Sequence, residues 1–174
     1  KLDIQYKNVY GKEDTLVTIQ IDMLLAERFG MYYTDENGEK KLPYIIHRTS
    51  LGCYERTLAY LIETYAGALP TWMAPEQVRF LPVTDRAVDY CKEQAAKLTA
   101  QGYRVTVDTR SEKIGKKIRD AQMEKIPYML VVGDRDIEAG TVSPRHRADG
   151  DLGAMTLDAF TAVLKDVVDN KLQK

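Results

Sequence analysis

A corner between a short apolar run and a helical stretch concentrates the polar groups of this sequence that could do chemistry. These groups are His47, Arg48, Glu55 and Arg56, on either side of Gly52. A glycine before a helix lets the backbone approach a ligand closely, and the free N–H groups of the first helical turn favour an anion. Arg56 could add a guanidinium fork for a phosphate. The corner is therefore either an anion site or, for Glu55 and Arg56, the solvated face of an amphipathic helix.

A metal site is the second kind of chemistry to weigh at this corner. A single histidine on a strand is more often a hydrogen-bonded core group than a ligand, and a zinc site needs three or four ligands. Cys53 stands too close to His47 in sequence, beyond the turn, and Cys91 belongs to the second half of the chain. We therefore expect no complete metal site in this sequence.

The stretch from Arg110 to Lys125 carries six basic and three acidic residues. A local basic face on a nearly neutral protein is what contact with phosphate groups requires. A solvated helix surface explains the same charges equally well. Composition at this stretch therefore leaves nucleic-acid contact and simple solvation open.

The elements that must position these residues follow from hydrophobic periodicity. Residues 16–23 alternate as a strand, with Thr18, Gln20 and Asp22 on a polar face that is either solvated or lines a cavity. Residues 1–14 are poorly patterned and indicate a loop or an edge segment. Asn37-Gly38 between residues 31–34 and 42–48 predicts a hairpin, because both residues tolerate positive φ.

A long helix is predicted from the Gly52 corner to about Ala66. Its apolar residues follow helical spacing, and Gly67 is a natural stop. The stripe consists of Tyr54, Leu58, Leu61, Ile62 and Tyr65. The connection LPTWMAP carries tryptophan and methionine, so we expect it to pack rather than to be a flexible linker.

The second half alternates strands and helices. Strands are predicted at residues 78–83, 104–108 and 128–132, and helices lie between them, the first capped by Thr84 or Asp85. Residues 137–147 suggest an exposed hairpin. Thr156 is predicted to cap a final helix. The pattern predicts an α/β fold with a largely parallel sheet, and it divides the chain into domains at residues 1–75 and 76–174.

The composition bounds the classes of protein that fit. The 174 residues carry a net charge of −1, which argues against coating by nucleic acid over the whole surface. Two cysteines without a CxxC motif favour a reduced, cytosolic setting. No apolar run approaches the roughly 18 residues of a membrane span, and no signal peptide is visible. Because the chain starts without methionine, we expect a fragment or a processed chain.

Several long motifs carry a resemblance to a known family. IIHRTSLGCYER followed by LIETYAGALPTWMAPEQV resembles motif 3 of class II aminoacyl-tRNA synthetases, in the form found in threonyl-tRNA synthetases. LVTIQID resembles that family's active-site strand. DTRSEKIGKKIRDAQMEKIPYMLVVGDRD and GTVSPRHR resemble its anticodon-binding domain. The resemblance implies a partial antiparallel-sheet catalytic portion, followed by an α/β anticodon-binding domain with a mixed, mostly parallel sheet.

The resemblance also implies roles for residues of the catalytic portion. His47 matches the third zinc ligand of the family. Thr18 and Gln20 match strand positions that line the threonine and adenylate pocket. Arg56 matches the motif 3 arginine that holds the ATP γ-phosphate, and Cys53 stands where serine is common. Gln20 and Arg56 are therefore the expected catalytic residues.

In the second domain, four positions match the family's contacts with the anticodon bases. They are Ser111, Lys125, Asp136 and Arg145, where the family usually has Asn, Arg, Glu and Arg. Three of the four residues differ from the usual ones. Since base-specific hydrogen bonds depend on reach and fork geometry, these replacements matter.

The implied activity is that of a cytoplasmic, homodimeric threonine–tRNA ligase. Such an enzyme uses ATP with Mg²⁺ and zinc, activates threonine as an adenylate and transfers it to the 3′ end of its tRNA. Motifs 1 and 2 and the other two zinc ligands would precede Lys1. We therefore expect the isolated chain to be inactive. The alternatives are a non-catalytic, synthetase-like module that only binds tRNA, and a synthetase-like subunit of another assembly.

Overall fold

The computed structural model describes residues 1–173, and the chain forms two compact units, Lys1–Ala66 and Gly67–Lys174. We call them the first and the second unit. Residues 67–75, which the sequence pattern placed in the first domain, are counted with the second unit. The division into domains at residue 75 stays a prediction.

The first unit is built on an antiparallel sheet. In chain order its elements are β1 (Leu2–Lys7), β2 (Glu13–Asp22), α1 (Leu25–Arg28), β3 (Tyr33–Thr34), β4 (Lys40–Lys41), β5 (Ile45–Arg48) and α2 (Tyr54–Tyr65). The sheet has the order β1-β2-β5, so the N-terminal residues form an edge strand. The predicted strand over residues 16–23 and the helix after Gly52 are confirmed.

The predicted hairpin around Asn37-Gly38 forms only in part. Residues of β3 and β4 pair across the turn, but β5 pairs with β2 instead of with β3. Gly38 has a φ of +81°, whereas Asn37 does not take a positive φ. The carboxylate of Asp35 explains the longer loop, because its Oδ1 accepts the backbone N–H groups of Asn37 and Glu39.

The first unit leaves large apolar side chains exposed. Ala26 is the one fully buried residue among residues 1–66. Helix α2 buries none of its residues, and Tyr54 and Ile46 are 79% and 68% exposed. The apolar stripe predicted for α2 is therefore only partly covered, with Leu61 and Tyr65 on its half-buried side. Backbone hydrogen bonds within the sheet therefore contribute more to holding this unit together than a hydrophobic core does.

The second unit is an α/β sandwich on a mixed sheet. Its elements are β6 (Val78–Pro82), α3 (Ala87–Ala100), β7 (Val105–Val107), α4 (Ile114–Met123), β8 (Tyr128–Val132), α5 (Asp134–Ala139), β9 (Thr141–His146), β10 (Gly150–Asp151), β11 (Met155–Thr156) and α6 (Leu157–Asp169). The sheet order is β10-β9-β8-β6-β7, and β11 also pairs with β9. Strands β7, β6 and β8 run parallel, while β9 runs antiparallel to β8.

Strand β8 lies at the centre of the core, as its continuous apolar run predicts. Leu130 and Val132 are fully buried, and Tyr128 meets Phe160 of α6 edge-on at 5.5 Å between ring centroids. The predicted fold class is confirmed. In the described part of the chain, no helix combines the length and the apolar character needed to cross a membrane.

Residues 137–147 are not the exposed hairpin that their polar composition suggested. They contain the end of α5 and the strand β9, which is inside the sheet. Val142, Pro144 and His146 alternate as the buried face of β9. The prediction was wrong because an alternating strand with one buried face has as many polar residues as a surface hairpin.

The predicted cap of α3 is also wrong. The N-cap residue is Arg86, and no side chain caps the helix. Thr84 Oγ1 instead donates a hydrogen bond of 3.0 Å to Asp134 Oδ1 at the start of α5. The hydroxyl therefore joins the ends of two parallel strands rather than the end of one helix.

Thr156 caps α6 as predicted, and the contribution of this contact to the free energy of unfolding can be measured. Its Oγ1 accepts the backbone N–H of Ala159 at 3.3 Å. We expect Thr156→Ala to lower the free energy of unfolding of the second unit by about 1 kcal/mol in urea titrations. Thr99→Ala, at an exposed position inside α3, is the control and should be neutral. Equal losses in the two variants would contradict the assignment of the cap.

Candidate functional site

Strand register builds one polar face in the first unit. Gln20 of β2 lies opposite His47 of β5, on the face that also carries Thr18 and Asp22. His47 Nε2 lies 3.5 Å from Asp22 Oδ2, and the imidazole is 45% exposed. Alternation along the two strands therefore places the predicted residues Thr18, Gln20 and His47 side by side.

Thr18 is held from both sides by groups that sequence reasoning did not assign to the site. Its backbone N–H donates to Thr49 Oγ1 at 2.9 Å, and its hydroxyl donates to the carboxylate of Asp3. This hydrogen bond from Thr18 lowers the pKa of Asp3. Thr18 is consequently fixed in orientation by β1 and by the residue that follows β5.

The Gly52 corner brings the start of α2 against β2. Gly52 has a φ of +66°, and a Cβ there would overlap the carbonyl oxygen of Leu16. Arg56 Nη1 donates to Thr15 O at 2.9 Å. The corner and β2 enclose an open cleft of about 400 Å³. Its lining residues are Lys1, Thr15, Leu16, Thr18, Thr49, Gly52, Cys53 and Arg56.

His47 of the first unit is the predicted metal ligand. Among residues 1–173, no group of three or more His, Cys, Asp or Glu side chains could hold a metal ion. The nearby Asp22 is engaged by the backbone N–H groups of Leu25 and Leu24, which lower its pKa, with His47 adding a smaller effect. A zinc site needs three or four ligands, and the exposed imidazole supplies one nitrogen donor.

In the second unit, two of the four predicted anticodon residues lie at the carboxyl end of the parallel strands. Ser111 follows β7 and lines a cleft of about 650 Å³ together with Thr84 and Lys113. Asp136 follows β8, where its carboxylate accepts the N–H of Gly133 at 2.8 Å and the hydroxyl of Ser143 at 2.9 Å. Both oxygens of Asp136 are thus engaged within the chain.

The other two predicted residues lie elsewhere along β8 and β9. Lys125 is exposed just before β8, at the end opposite to Asp136. Arg145 of β9 pairs with Met129, and its Nη1 lies 3.4 Å from Asp151 Oδ2. Its buried Nε atom has no hydrogen-bond partner within residues 1–173. The four residues thus lie beside three different strands, β7, β8 and β9, and toward both ends of the sheet, rather than meeting at one point.

Three of the six cations in the basic stretch from Arg110 to Lys125 are engaged within the unit. Arg110 pairs with Asp108 and Asp120, and Lys116 pairs with Glu112. Lys117 is buried and donates to the carbonyls of Pro82 and Asp108 at 3.0 and 3.2 Å. Within residues 1–173, the exposed cations of this stretch without an ion pair are Lys113, Arg119 and Lys125. The count of charges in the sequence overstated the free basic surface.

Sequence reasoning missed the residues that hold the site in place. Asp3 and Thr49 fix Thr18, and Arg147 bonds the backbone beside Lys125. Thr49 could have been found, because it shares a strand face with His47. Asp3 and Arg147 carry no local pattern that indicates their long-range contacts.

Two family models match the chain. The model described as "tRNA synthetase class II core domain (G, H, P, S and T)" matches residues 1–65. The model described as "Anticodon binding domain" matches residues 77–167, more than half of the chain. The polar face of β2 and β5 and the Gly52 corner lie within the first match. The four predicted anticodon residues, Ser111, Lys125, Asp136 and Arg145, lie within the second.

Relatives and a solved structure give a consistent result. The chain is 62% identical over 160 residues to a threonine--tRNA ligase of Clostridium perfringens, covering 92% of this chain and 25% of that protein. It is 47% identical over 171 residues to a threonine--tRNA ligase of Clostridium botulinum, covering 98% of this chain and 27% of that protein. The chain thus spans about a quarter of the length of these curated relatives.

The fold is similar to the crystal structure of the RNA binding domain of threonyl-tRNA synthetase from Cryptosporidium parvum. The TM-score is 0.82 at 32% sequence identity, covering 94% of this chain and 42% of that one. Sequence motifs, family models and fold therefore agree. The chain belongs to the threonyl-tRNA synthetase family of class II aminoacyl-tRNA synthetases.

Proposed function

We propose that the chain is part of a threonine–tRNA ligase. Its first unit forms one wall of the threonyl-adenylate site, and its second unit binds the anticodon. The observation that carries this proposal is the strand register that sets Gln20 beside His47, next to a cleft lined by Thr18, Cys53 and Arg56. A site built from Gln20, His47 and Arg56 suits a reaction that depends on orientation and charge stabilisation.

The roles of the individual groups follow from their chemistry. The Arg56 guanidinium at the mouth of the cleft is suited to the γ-phosphate of ATP, which is bound with Mg²⁺. The His47 imidazole would hold Zn²⁺ together with ligands from outside this chain, and a bound zinc ion would act as a Lewis acid toward threonine. Gln20 and Thr18 would orient threonine and its adenylate by hydrogen bonds.

The partners of the parent protein belong to the same proposal. They are threonine, ATP and the threonine tRNA, in a homodimeric, cytoplasmic enzyme. The surface that carries Ser111, Lys125, Asp136 and Arg145 would take the anticodon. Its extended shape fits several consecutive unpaired bases better than a single base.

A non-catalytic, synthetase-like module that binds tRNA is the second candidate. The Asp136 carboxylate accepts hydrogen bonds from within the chain, and the Lys125 side chain is exposed. Both observations are compatible with either function. The retained polar face of Thr18, Gln20 and His47 favours descent from an enzyme, because a pure binding module has no use for it. In both cases we expect no threonine-dependent pyrophosphate exchange from these residues alone.

Binding of tRNA by the chain tests the proposal directly. We expect a threonine-tRNA transcript to bind more tightly than the same transcript with an exchanged anticodon. Lys125→Ala should weaken cognate binding about three- to tenfold through loss of a charge-assisted contact. Lys92→Ala, which removes an equal charge from α3, should leave binding unchanged. Equal affinity for both transcripts would refute anticodon recognition, and pyrophosphate exchange would refute the expected inactivity.

A further inference from the structure

Arg147, just after β9, holds backbone carbonyls of two separate segments. Its Nη1 donates to Lys125 O at 2.9 Å, and its Nη2 donates to Ala68 O and Leu69 O at 2.9 and 2.7 Å. Its backbone N–H donates to Pro127 O at 3.0 Å. No carboxylate within residues 1–173 forms an ion pair with it, and burial lowers its pKa. Placing a guanidinium there costs free energy, which only these hydrogen bonds offset.

The backbone that Arg147 holds is in an unusual conformation. Lys125 follows the C-cap residue of α4 and has a φ of +62°. Its N–H donates to Gln122 O at 3.1 Å, and the N–H of Ile126 donates to Ala121 O at 3.0 Å. This is the Schellman pattern, in which glycine is the usual left-handed residue because a side chain there is sterically disfavoured. A lysine kept at such a position is a candidate for function.

We propose that Arg147 is the positioning residue for Lys125. By holding the Lys125 carbonyl it fixes the left-handed turn, and the turn sets the direction in which the Lys125 side chain leaves the surface. Hydrogen bonds from both Nη atoms hold backbone carbonyls, and the role that we assign to Arg147 is to act through Lys125 rather than by touching RNA itself. Its hydrogen bonds to the carbonyls of Ala68 and Leu69 connect the same turn to the first residues of the second unit. The inference rests on the proposed role of Lys125 in anticodon binding.

Hydrogen exchange tests the structural half of this inference without tRNA. In Arg147→Met, the amides of Lys125 and Ile126 should exchange about tenfold faster, because a hydrogen bond that holds the turn is lost. The amide of Phe80 in β6 should keep its rate. Arg147→Lys should give an intermediate change, and Arg119→Met, at an exposed arginine of α4, should give none. Unchanged exchange at the turn in both Arg147 variants would overturn the inference.

A double-mutant cycle on tRNA binding tests the functional half. Arg147→Met should weaken binding of the cognate transcript about three- to tenfold in the wild-type background but less than about 1.5-fold in the Lys125→Ala background. Equal losses in both backgrounds, or none in either, would overturn positioning through Lys125. Absence of tRNA binding by the wild-type chain is a separate result that refutes the proposed function, and the inference falls with it.

Discussion

Gly52→Ala should destabilise the first unit by about 2–5 kcal/mol, the largest effect that we expect from a single methyl group in this protein. Two costs add at this position. The φ of +66° disfavours any side chain by about 1–2 kcal/mol. The added Cβ would also overlap the Leu16 carbonyl oxygen, which belongs to the backbone of β2 and cannot rotate away. Because this unit has almost no core, the loss should displace Cys53 and Arg56 from the cleft.

The measurement is urea unfolding of the full chain, followed by hydrogen exchange at amides of the first unit. Gly38→Ala is the matched control. Gly38 has a φ of +81° but no atom within 4 Å of an added Cβ, so only the conformational cost applies. Equal losses of unfolding free energy in Gly52→Ala and Gly38→Ala would show that the overlap with the Leu16 carbonyl oxygen adds no cost.

Arg110→Gln should lower the free energy of unfolding of the second unit at pH 7, and by more than the loss of an exposed ion pair does. Arg110 donates to both oxygens of Asp108 at 2.9 and 2.6 Å, and to Asp120 at 2.9 Å. The Asp108 side chain is only 5% exposed, so the variant leaves a buried carboxylate without its cation. Arg110 is itself half exposed, and water screening keeps the loss below that of a fully buried pair.

The effect of Arg110→Gln should depend on pH. Hydrogen bonds from Arg110 hold the pKa of Asp108 below its usual range. The pair therefore contributes fully above the unfolded pKa of about 4, and the contribution is lost as the pH falls through the lower, folded pKa. Removing Arg110 raises that pKa. The unfolding free energies of wild type and variant should therefore converge in acid.

Urea titrations at neutral and acidic pH provide the comparison. Lys116→Gln is the control, because Lys116 pairs with Glu112 on the solvated side of α4. An exposed pair of this kind contributes less than about 0.5 kcal/mol. A loss for Arg110→Gln that stays constant from neutral pH to acid would contradict the role of the Asp108 charge.

Local sequence patterns predicted most elements of this fold for identifiable reasons. The alternation over residues 16–23, the apolar run of β8 and the threonine before α6 each encode a period or a cap within a few neighbouring residues. The side-chain period of a strand is independent of its partner. For this reason the polar face of Thr18 and Gln20 was predictable, whereas the pairing of β5 with β2 in place of β3 was not.

The charges of the second unit show the limit of composition most clearly. The sequence determined that residues 110–125 carry six basic groups, but only the tertiary structure decided which of them remain available. Arg110 forms ion pairs with Asp108 and Asp120, and Lys117 donates hydrogen bonds to two backbone carbonyls.

The same division holds for the corner at Gly52. The sequence by itself determined a glycine turn before a helix, with His47 and Arg56 on either side, and so the family to which the chain belongs. The tertiary structure decided that the glycine lies against the Leu16 carbonyl, that Arg56 bonds Thr15, and that Arg147 holds the turn at Lys125. Each of these contacts joins residues far apart in sequence, where no local pattern specifies the partner.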